Sequence, residues 1–303
     1  MTIEEFAHQL IATVRPILPE HLRNAKMTVQ PSEEPYHTGM TSIYVWPEDS
    51  DVAPCYYIDQ QYANFCEGMP IQDIASDLAD AITSHQVLEQ ELDNSILEDF
   101  EQAKANIIAV LIDGRKGRNE KYLSKRPYMP FGQSDIKIIF ALQFSIKSLG
   151  TTMTLPITTD LMEFWDTTPM HLQQYAIENG PALRPVMINP IGNFLAGPKA
   201  INKSPMMVLT NTDDSQGAAV LLYKETPAML DKEFPGGYYL LPSSVHEWIV
   251  VDKRVFDDPR ELLTIVKQFN QETSAPLNIL ADDIFELQGG LLISATKKGG
   301  IYA

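Results

Sequence analysis

Asp135-Ile136-Lys137-Ile138-Ile139-Phe140-Ala141-Leu142-Gln143-Phe144 is the stretch whose reading sets the fold class of this chain. Ile136, Ile138, Phe140, Leu142 and Phe144 fall on alternate positions, the pattern of a strand with one buried face, because successive strand side chains point to opposite sides. Residues 151–157 follow at hairpin distance and predict its antiparallel partner. Two short helices come next, one over 159–165 and one capped by Thr168, with Pro169 in its first turn and a stop at Asn179-Gly180. Residues 206–209 and 218–223 are nearly continuous apolar runs joined by the polar loop 211–216. They predict adjacent central strands covered on both faces. A helix over 226–234 leads through Gly236-Gly237 to a strand at 238–241, and 245–251 continues as strand. Asp258, Pro259 and Glu261 open a helix carrying Leu262, Ile265, Val266 and Phe269, and extended runs at 283–287 and 291–295 close the chain. Strands in short antiparallel groups, interrupted by helices, define an α+β class with mixed, mainly antiparallel sheets flanked by helices.

Upstream, Thr2 and Glu5 form a capping box ahead of Phe6, Leu10, Val14 and Leu18, so the chain opens with an amphipathic helix. Short extended runs at 27–29, 42–46 and 55–58 read as a small sheet. Pro70 starts a long helical region with the stripe Ile71, Ile74, Leu78 and Ile82. A break is expected over 84–94, then a second helix with Ile96, Phe100, Ile107 and Leu111 that ends at Gly114. The periodicity changes near 128–133, which divides the chain into an acidic helix and small-sheet portion, 1–128, and a sheet portion, 129–303, whether or not the two pack as one unit. No internal repeat and no low-complexity linker interrupts it.

Charge is distributed unevenly. Between Met27 and Ala103 there are sixteen acids and no lysine or arginine, whereas the rest holds 24 acids against 23 bases, within a formal total of −17. Such a surface disfavours direct contact with nucleic-acid phosphates or anionic membrane and favours a basic protein partner or a mimic of DNA. With 303 residues and 44% hydrophobic content the chain reads as a folded globular protein. Its first residues lack a signal-peptide pattern and no run reaches the ~18 to 20 apolar residues of a membrane span, so a cytoplasmic location is expected. Cys55 and Cys66 fit neither a disulfide framework nor a zinc site.

Leu-Thr-Asn at 209–211, Gly-Ala-Ala-Val-Leu-Leu-Tyr at 217–223 and Leu-Pro-Ser-Ser-Val-His-Glu at 241–247 resemble the signature of an uncharacterised bacterial family, a domain of unknown function often found near mobile-element genes. Asn-Glu-Lys-Tyr-Leu at 119–123, Pro127 and the helical pair over 165–179 fall in matching order. The element order is also similar to that of a second uncharacterised family of cytosolic bacterial proteins. Neither resemblance implies an activity.

Ser243, Ser244, His246 and Glu247 place a nucleophile, a base and an acid within five positions, which raises a hydrolase centred on Ser244 and His246. On a continuous strand Ser244 and His246 share a face and Glu247 points away, so the acid does not orient the imidazole. No Gly-x-Ser-x-Gly elbow surrounds the serines, and Val250 stands where a zinc motif has its second histidine. Asn211, Asp213, Asp214 and Ser215 start like a calcium loop, but Gln216 and Leu222 occupy its glycine and glutamate positions. The six histidines lack ligand spacing and the paired glycines do not open phosphate-binding helices, so no metal and no cofactor is expected. Arg115, Lys116, Arg118, Lys121, Lys125 and Arg126 form a basic cluster able to hold an anion or to compensate the acids. The expectation is therefore an acidic cytosolic interaction protein that binds a basic protein partner, one version being an accessory or anti-defence factor of a mobile element; the hydrolase and the DNA mimic are the alternatives.

Overall fold

The computed structural model describes residues 1–32, 40–46, 53–91, 95–117, 119–146, 151–191, 205–256, 258–272 and 278–297. The chain divides into two compact units, Met1–Asn94 and Ser95–Ala303.

In the first unit, helix α1 (Ile3–Val14) begins at the expected capping box: the Glu5 amide donates to Thr2 Oγ1 at 3.2 Å and the Thr2 amide to Glu5 Oε2 at 2.8 Å. Strands β1 (Lys26–Pro31), β2 (Thr41–Trp46) and β3 (Cys55–Tyr57) form an antiparallel sheet in that order. Helices α2 (Asp59–Cys66) and α3 (Ile71–Glu91) complete the unit. The i, i+4 apolar spacing of α1 brings Phe6, Leu10 and Val14 into one core with Ile43 and Val45 of β2 and with Ile71, Ile74, Leu78 and Ile82 of α3. The helix break expected over 84–94 is absent as far as Glu91, where α3 ends; 92–94 lie outside the described residues.

The second unit opens with α4 (Ser95–Glu98) and α5 (Phe100–Ala103) and then β4 (Ile107–Asp113), every residue of which is buried. Ile107 and Leu111 are therefore strand residues, not part of the expected helix. The i, i+4 spacing misled because a continuous apolar run serves a doubly covered strand equally well. β4 pairs antiparallel with β6 (Ile136–Ile146) through seven positions, from Ile107↔Leu142 to Asp113↔Ile136. The contacts divide the chain after Asn94, and β4 pairs with β6 within the second unit. Helix α6 (Glu120–Leu123) and β5 (Tyr128–Pro130) lie between them, and β5 and β7 (Thr151–Pro156) both pair with β6. The expectation of one buried face on β6 is exceeded: Ile139, Ala141 and Gln143 are buried as well as Ile136, Ile138, Phe140 and Leu142.

After α7 (Thr159–Phe164), helix α8 (Pro169–Leu183) continues through Gly180 and Pro181, past its expected stop. At Gly180 the ring of Tyr223 packs where a Cβ would stand. A six-stranded antiparallel sheet follows, ordered β13-β12-β10-β11-β9-β8. Its strands are β8 (Val186–Pro190), β9 (Met206–Asn211), β10 (Tyr238–Ser244), β11 (Glu247–Asp252), β12 (Phe285–Gln288) and β13 (Leu291–Ser294). Helix α9 (Thr226–Glu233) precedes β10 and α10 (Pro259–Glu272) follows β11. Leu262 and Val266 of α10 enter the core, while Ile265 and Phe269, read as part of the same apolar face, are exposed.

The largest departure from expectation is Gly217–Leu222, a 3-10 helix and not a strand beside β9. Both edges of β9 are already taken, by β8 and β11. The carbonyls of the apolar segment find side-chain donors instead: Trp248 Nε1 donates to Ala218 O at 2.8 Å and Thr226 Oγ1 to Val220 O at 2.7 Å. The segment is buried from Gly217 to Leu221 and touches β4, β9, β11 and α8.

Candidate functional site

The serine and histidine cluster lies at a hairpin. β10 ends at Ser244, Val245 and His246 form the turn, and β11 starts at Glu247, with a bulge between Pro242 and Ser244. The expected continuous strand, with Ser244 and His246 on one face, is replaced by this reversal. Within the turn the His246 amide donates to Ser244 Oγ at 3.1 Å, and Ser243 Oγ donates to Glu247 Oε1 at 3.0 Å. The imidazole faces elsewhere: His246 Nδ1 accepts the Gln216 amide at 3.0 Å, and the ring shares a side-chain hydrogen bond with Asn278. Burial holds this imidazole below its ordinary range, opposed by the Glu247 charge and the Asn278 bond, so the ring is neutral near pH 7. A general base needs a free nitrogen lone pair directed at the nucleophile. Here Nδ1 is occupied by a main-chain donor, and among the described residues no hydrogen bond joins either serine hydroxyl to the ring. Ser243, Ser244, His246 and Glu247 are brought together without forming a proton relay.

What they build is a packing hub. Thr210 Oγ1 donates to His246 O at 2.9 Å, Val245 N to Asn278 O at 2.8 Å, and Ala218 N to Val245 O at 3.3 Å. Gly217 passes so close to Thr210, His246 and Asn211 that a Cβ would collide with all three. Gln216, at φ 52°, turns the chain into the 3-10 helix. Buried Arg184, at the end of α8, reaches Gln143 Oε1 at 2.5 Å, Gln216 Oε1 at 3.1 Å and Ser215 O at 3.3 Å. The three segments that carry the sequence signature therefore meet at one place. Asn211, drawn from the incomplete calcium pattern, accepts the Asp213 and Ser215 amides and closes its own loop. Among the described residues no group of three or more histidine, cysteine, aspartate or glutamate side chains is placed to hold a metal.

The basic cluster disperses. It follows a buried strand and not the expected helix end, although Lys121, Lys125 and Arg126 lie in and just after the short helix α6. Arg115 turns back onto Asp113, with Nη2 2.6 Å from Oδ2, and also pairs with Asp282 ahead of β12, which raises its already high pKa. It lines a polar cleft of about 210 Å³ with Asp135, Asp283 and Lys297, in which Lys297 pairs with Asp283 at 3.1 Å. Arg126 stacks over the Tyr122 ring, 3.5 Å from its centroid. Lys116, Lys121 and Lys125 are exposed, and Arg118 lies outside the described residues.

The acids are sorted by unit. Met1–Asn94 holds 16 of the 40 acids and only three of the 23 bases, Arg15, Arg23 and Lys26, a formal −13; the remaining 24 acids and 20 bases leave −4. Arg15 donates to the carbonyls of Arg23 and Ala25, and Arg23 to that of Leu18, so both serve main-chain acceptors. Asp73, Asp77 and Asp80 are exposed on α3, four and three residues apart and hence on one face. Asp59, by contrast, accepts the Thr41 amide at 2.8 Å, Asp99 caps α5, and Glu101 pairs with Lys104 at 2.5 Å. The first unit contains a cavity of about 310 Å³ between β3, α2 and α3, a feature with no signal in the sequence beyond scattered tyrosines and amides.

Fold and site together define an α+β protein that joins an acidic three-stranded unit to a two-sheet unit, its shared motifs turned inward as a packing hub. Residues 3–288 match the family of unknown function DUF5688, and the chain belongs to that family. No curated protein and no solved structure matches it. Among the described residues no helix is long and apolar enough to cross a membrane.

Proposed function

We propose that this chain is a non-enzymatic cytosolic interaction protein whose amino-terminal unit binds a basic protein partner. The observation that carries the reading is the division of charge: −13 resides in Met1–Asn94, with Asp73 and Asp80 exposed on one helix face. Like charges held on one surface repel one another, and a cationic partner relieves that repulsion while being steered toward it. A protein partner is favoured over the DNA-mimic reading because Asp59 is engaged within the fold and, of the acids that the sequence places in one tract, Asp99 and Glu101 belong to the second unit. An accessory or anti-defence factor of a mobile element is one version of such a protein and rests on the family resemblance alone.

The test is co-purification from nuclease-treated lysate of the native host at about 0.1 M and about 1 M salt, between which the screening length falls from ~10 to ~3 Å. A stoichiometric basic protein, retained at low salt, released at high salt and weakened severalfold by Asp73→Asn/Asp80→Asn, is the expected result. Retention indifferent to salt and to both substitutions, or no partner at low salt, sinks the reading.

A further inference from the structure

We infer that the outer edge of β8 pairs with the same edge of a second copy of this chain, joining two six-stranded sheets across a two-fold axis at Met187. This goes beyond the proposed function and does not rest on it. β8 stands last in its sheet, and among the described residues no strand lies beyond it. The opposite end of that sheet is covered, since the Gln133 amide donates to Leu292 O of β13 at 2.8 Å. β8 reads Val-Met-Ile-Asn-Pro, half-buried throughout and without a charge, whereas strand edges that stay single are blunted by charge, brevity or a cover.

Pairing geometry selects the occupant. Just before β8 the Thr212 amide donates to Pro185 O at 3.1 Å, and the register continues from Val186↔Asn211 to Pro190↔Met207. Antiparallel bonds to one neighbour fall on every second residue, so Met187 and Asn189 bond to β9 while the N–H and C=O of Val186 and Ile188 point outward. That set is complementary to itself. With Met187 on the axis, Val186 meets Ile188 of the second copy and Ile188 meets its Val186, each pair exchanging both main-chain bonds. Pro190, which has no N–H, then falls at the rim. A register centred on Ile188 would instead set the proline ring against the Val186 carbonyl of the other copy. The side chains agree with this arrangement. Ile188 and Pro190 share a strand face and, with Met207 of β9 and Met229, Lys232 and Glu233 of α9, line a groove of about 390 Å³. The two-fold axis places both grooves on one face of the joined sheet, and Met229, 38% exposed, stands at each. Lys232 and Glu233 give each groove one charge of each sign, a rim complementary to its own two-fold copy. The second unit as a whole carries only −4 against the −13 of the first, so little repulsion opposes the pairing of copies there.

The register can be trapped by a cross-link. On the axis Met187 stands opposite its copy at a non-hydrogen-bonded position, where Cα atoms lie ~4.5 Å apart, within the span that a disulfide bridges. In the full chain with Cys55→Ser and Cys66→Ser, mild oxidation of Met187→Cys gives a covalent dimer of twice 34.0 kDa, severalfold faster than Asn189→Cys, which lies two residues from the axis. Light scattering of the parent shows a mass rising toward the dimer with concentration. Ile188→Pro, whose lost N–H makes no bond to β9, folds and stays monomeric. Amide exchange at single-residue resolution slows severalfold at Val186 and Ile188 as the parent is concentrated, while Met187 and Asn189 are slow throughout. A dimer indifferent to Ile188→Pro, or equal cross-linking at positions 187 and 189, overturns the proposal. A parent monomeric at every concentration also overturns it: fast exchange at Val186 and Ile188 then leaves the edge to a strand of another protein, and slow exchange shows that the chain covers the edge itself.

Discussion

Gly217→Ala is the substitution that most directly probes the hub. A methyl carbon built at Gly217 stands 2.5 Å from the His246 carbonyl oxygen and 2.7 Å from the Asn211 amide nitrogen, and closer still to Thr210 Oγ1. Two of these obstacles are main chain within or beside paired strands, so they do not swing aside as a side-chain tip would. Overpacking of this kind costs about 1 to 3 kcal/mol. Moving the Thr210 hydroxyl breaks its 2.9 Å bond to His246 O, adding about 1 kcal/mol. The lower chain entropy of alanine in the unfolded state returns about 0.4 to 1 kcal/mol. The net loss is about 1 to 3.5 kcal/mol, or about 2 to 14 °C in the melting temperature of a unit this size. Urea titration of the full chain, followed by tryptophan fluorescence in a Trp46→Phe background, isolates the second unit, because the other two tryptophans, Trp165 and Trp248, lie there. In a Thr210→Ala background the nearest obstacle is gone and the cost of Gly217→Ala falls, a favourable coupling between neighbours. A midpoint equal to that of the parent, or the same loss in both backgrounds, refutes the close approach at Gly217.

Three further outcomes are expected. His246 is held below its ordinary value of about 6.5 by burial, so the unfolded chain takes up its proton first as the pH falls; this contribution to stability is complete above about pH 6.5 and is lost as the pH drops through the folded value. Unfolding free energies at pH 5 to 8 therefore show a shallower acid dependence in His246→Gln, and an unaltered slope counts against a buried neutral ring. Trp248→Phe removes the donor to Ala218 O and leaves both a cavity and an orphaned carbonyl beneath a fully buried side chain, a loss of about 2 to 4 kcal/mol by urea denaturation; a change below about 1 kcal/mol would show that the 3-10 helix does not depend on it. Thr2→Ala dismantles the capping box of α1 and lowers the stability of the first unit by about 1 kcal/mol, read from the circular-dichroism melt; an unchanged melt argues against the reciprocal bonds.

Sequence periodicity determined what is local here. The α1 cap and apolar stripe, the alternation of β6, the Thr168-Pro169 start of α8 and the antiparallel α+β class are legible because each depends on contacts a few residues apart or on which face must leave water. The concentration of acids is equally legible, since charge needs no fold to be counted. Tertiary structure decided what depends on neighbours distant in sequence. Residues 107–113 and 217–222 are both apolar runs, yet the first becomes a strand because β6 offers it an open edge, and the second a 3-10 helix because β9 has none left while Trp248 and Thr226 supply donors to its carbonyls. The same holds for the candidate sites. Ser243, Ser244, His246 and Glu247 look catalytic in one dimension and become a turn once Gln216 and Asn278, from other segments, hold the imidazole. The cavity of the first unit has no motif at all, because an enclosed space is a property of β3, α2 and α3 packed together and of none of them in sequence.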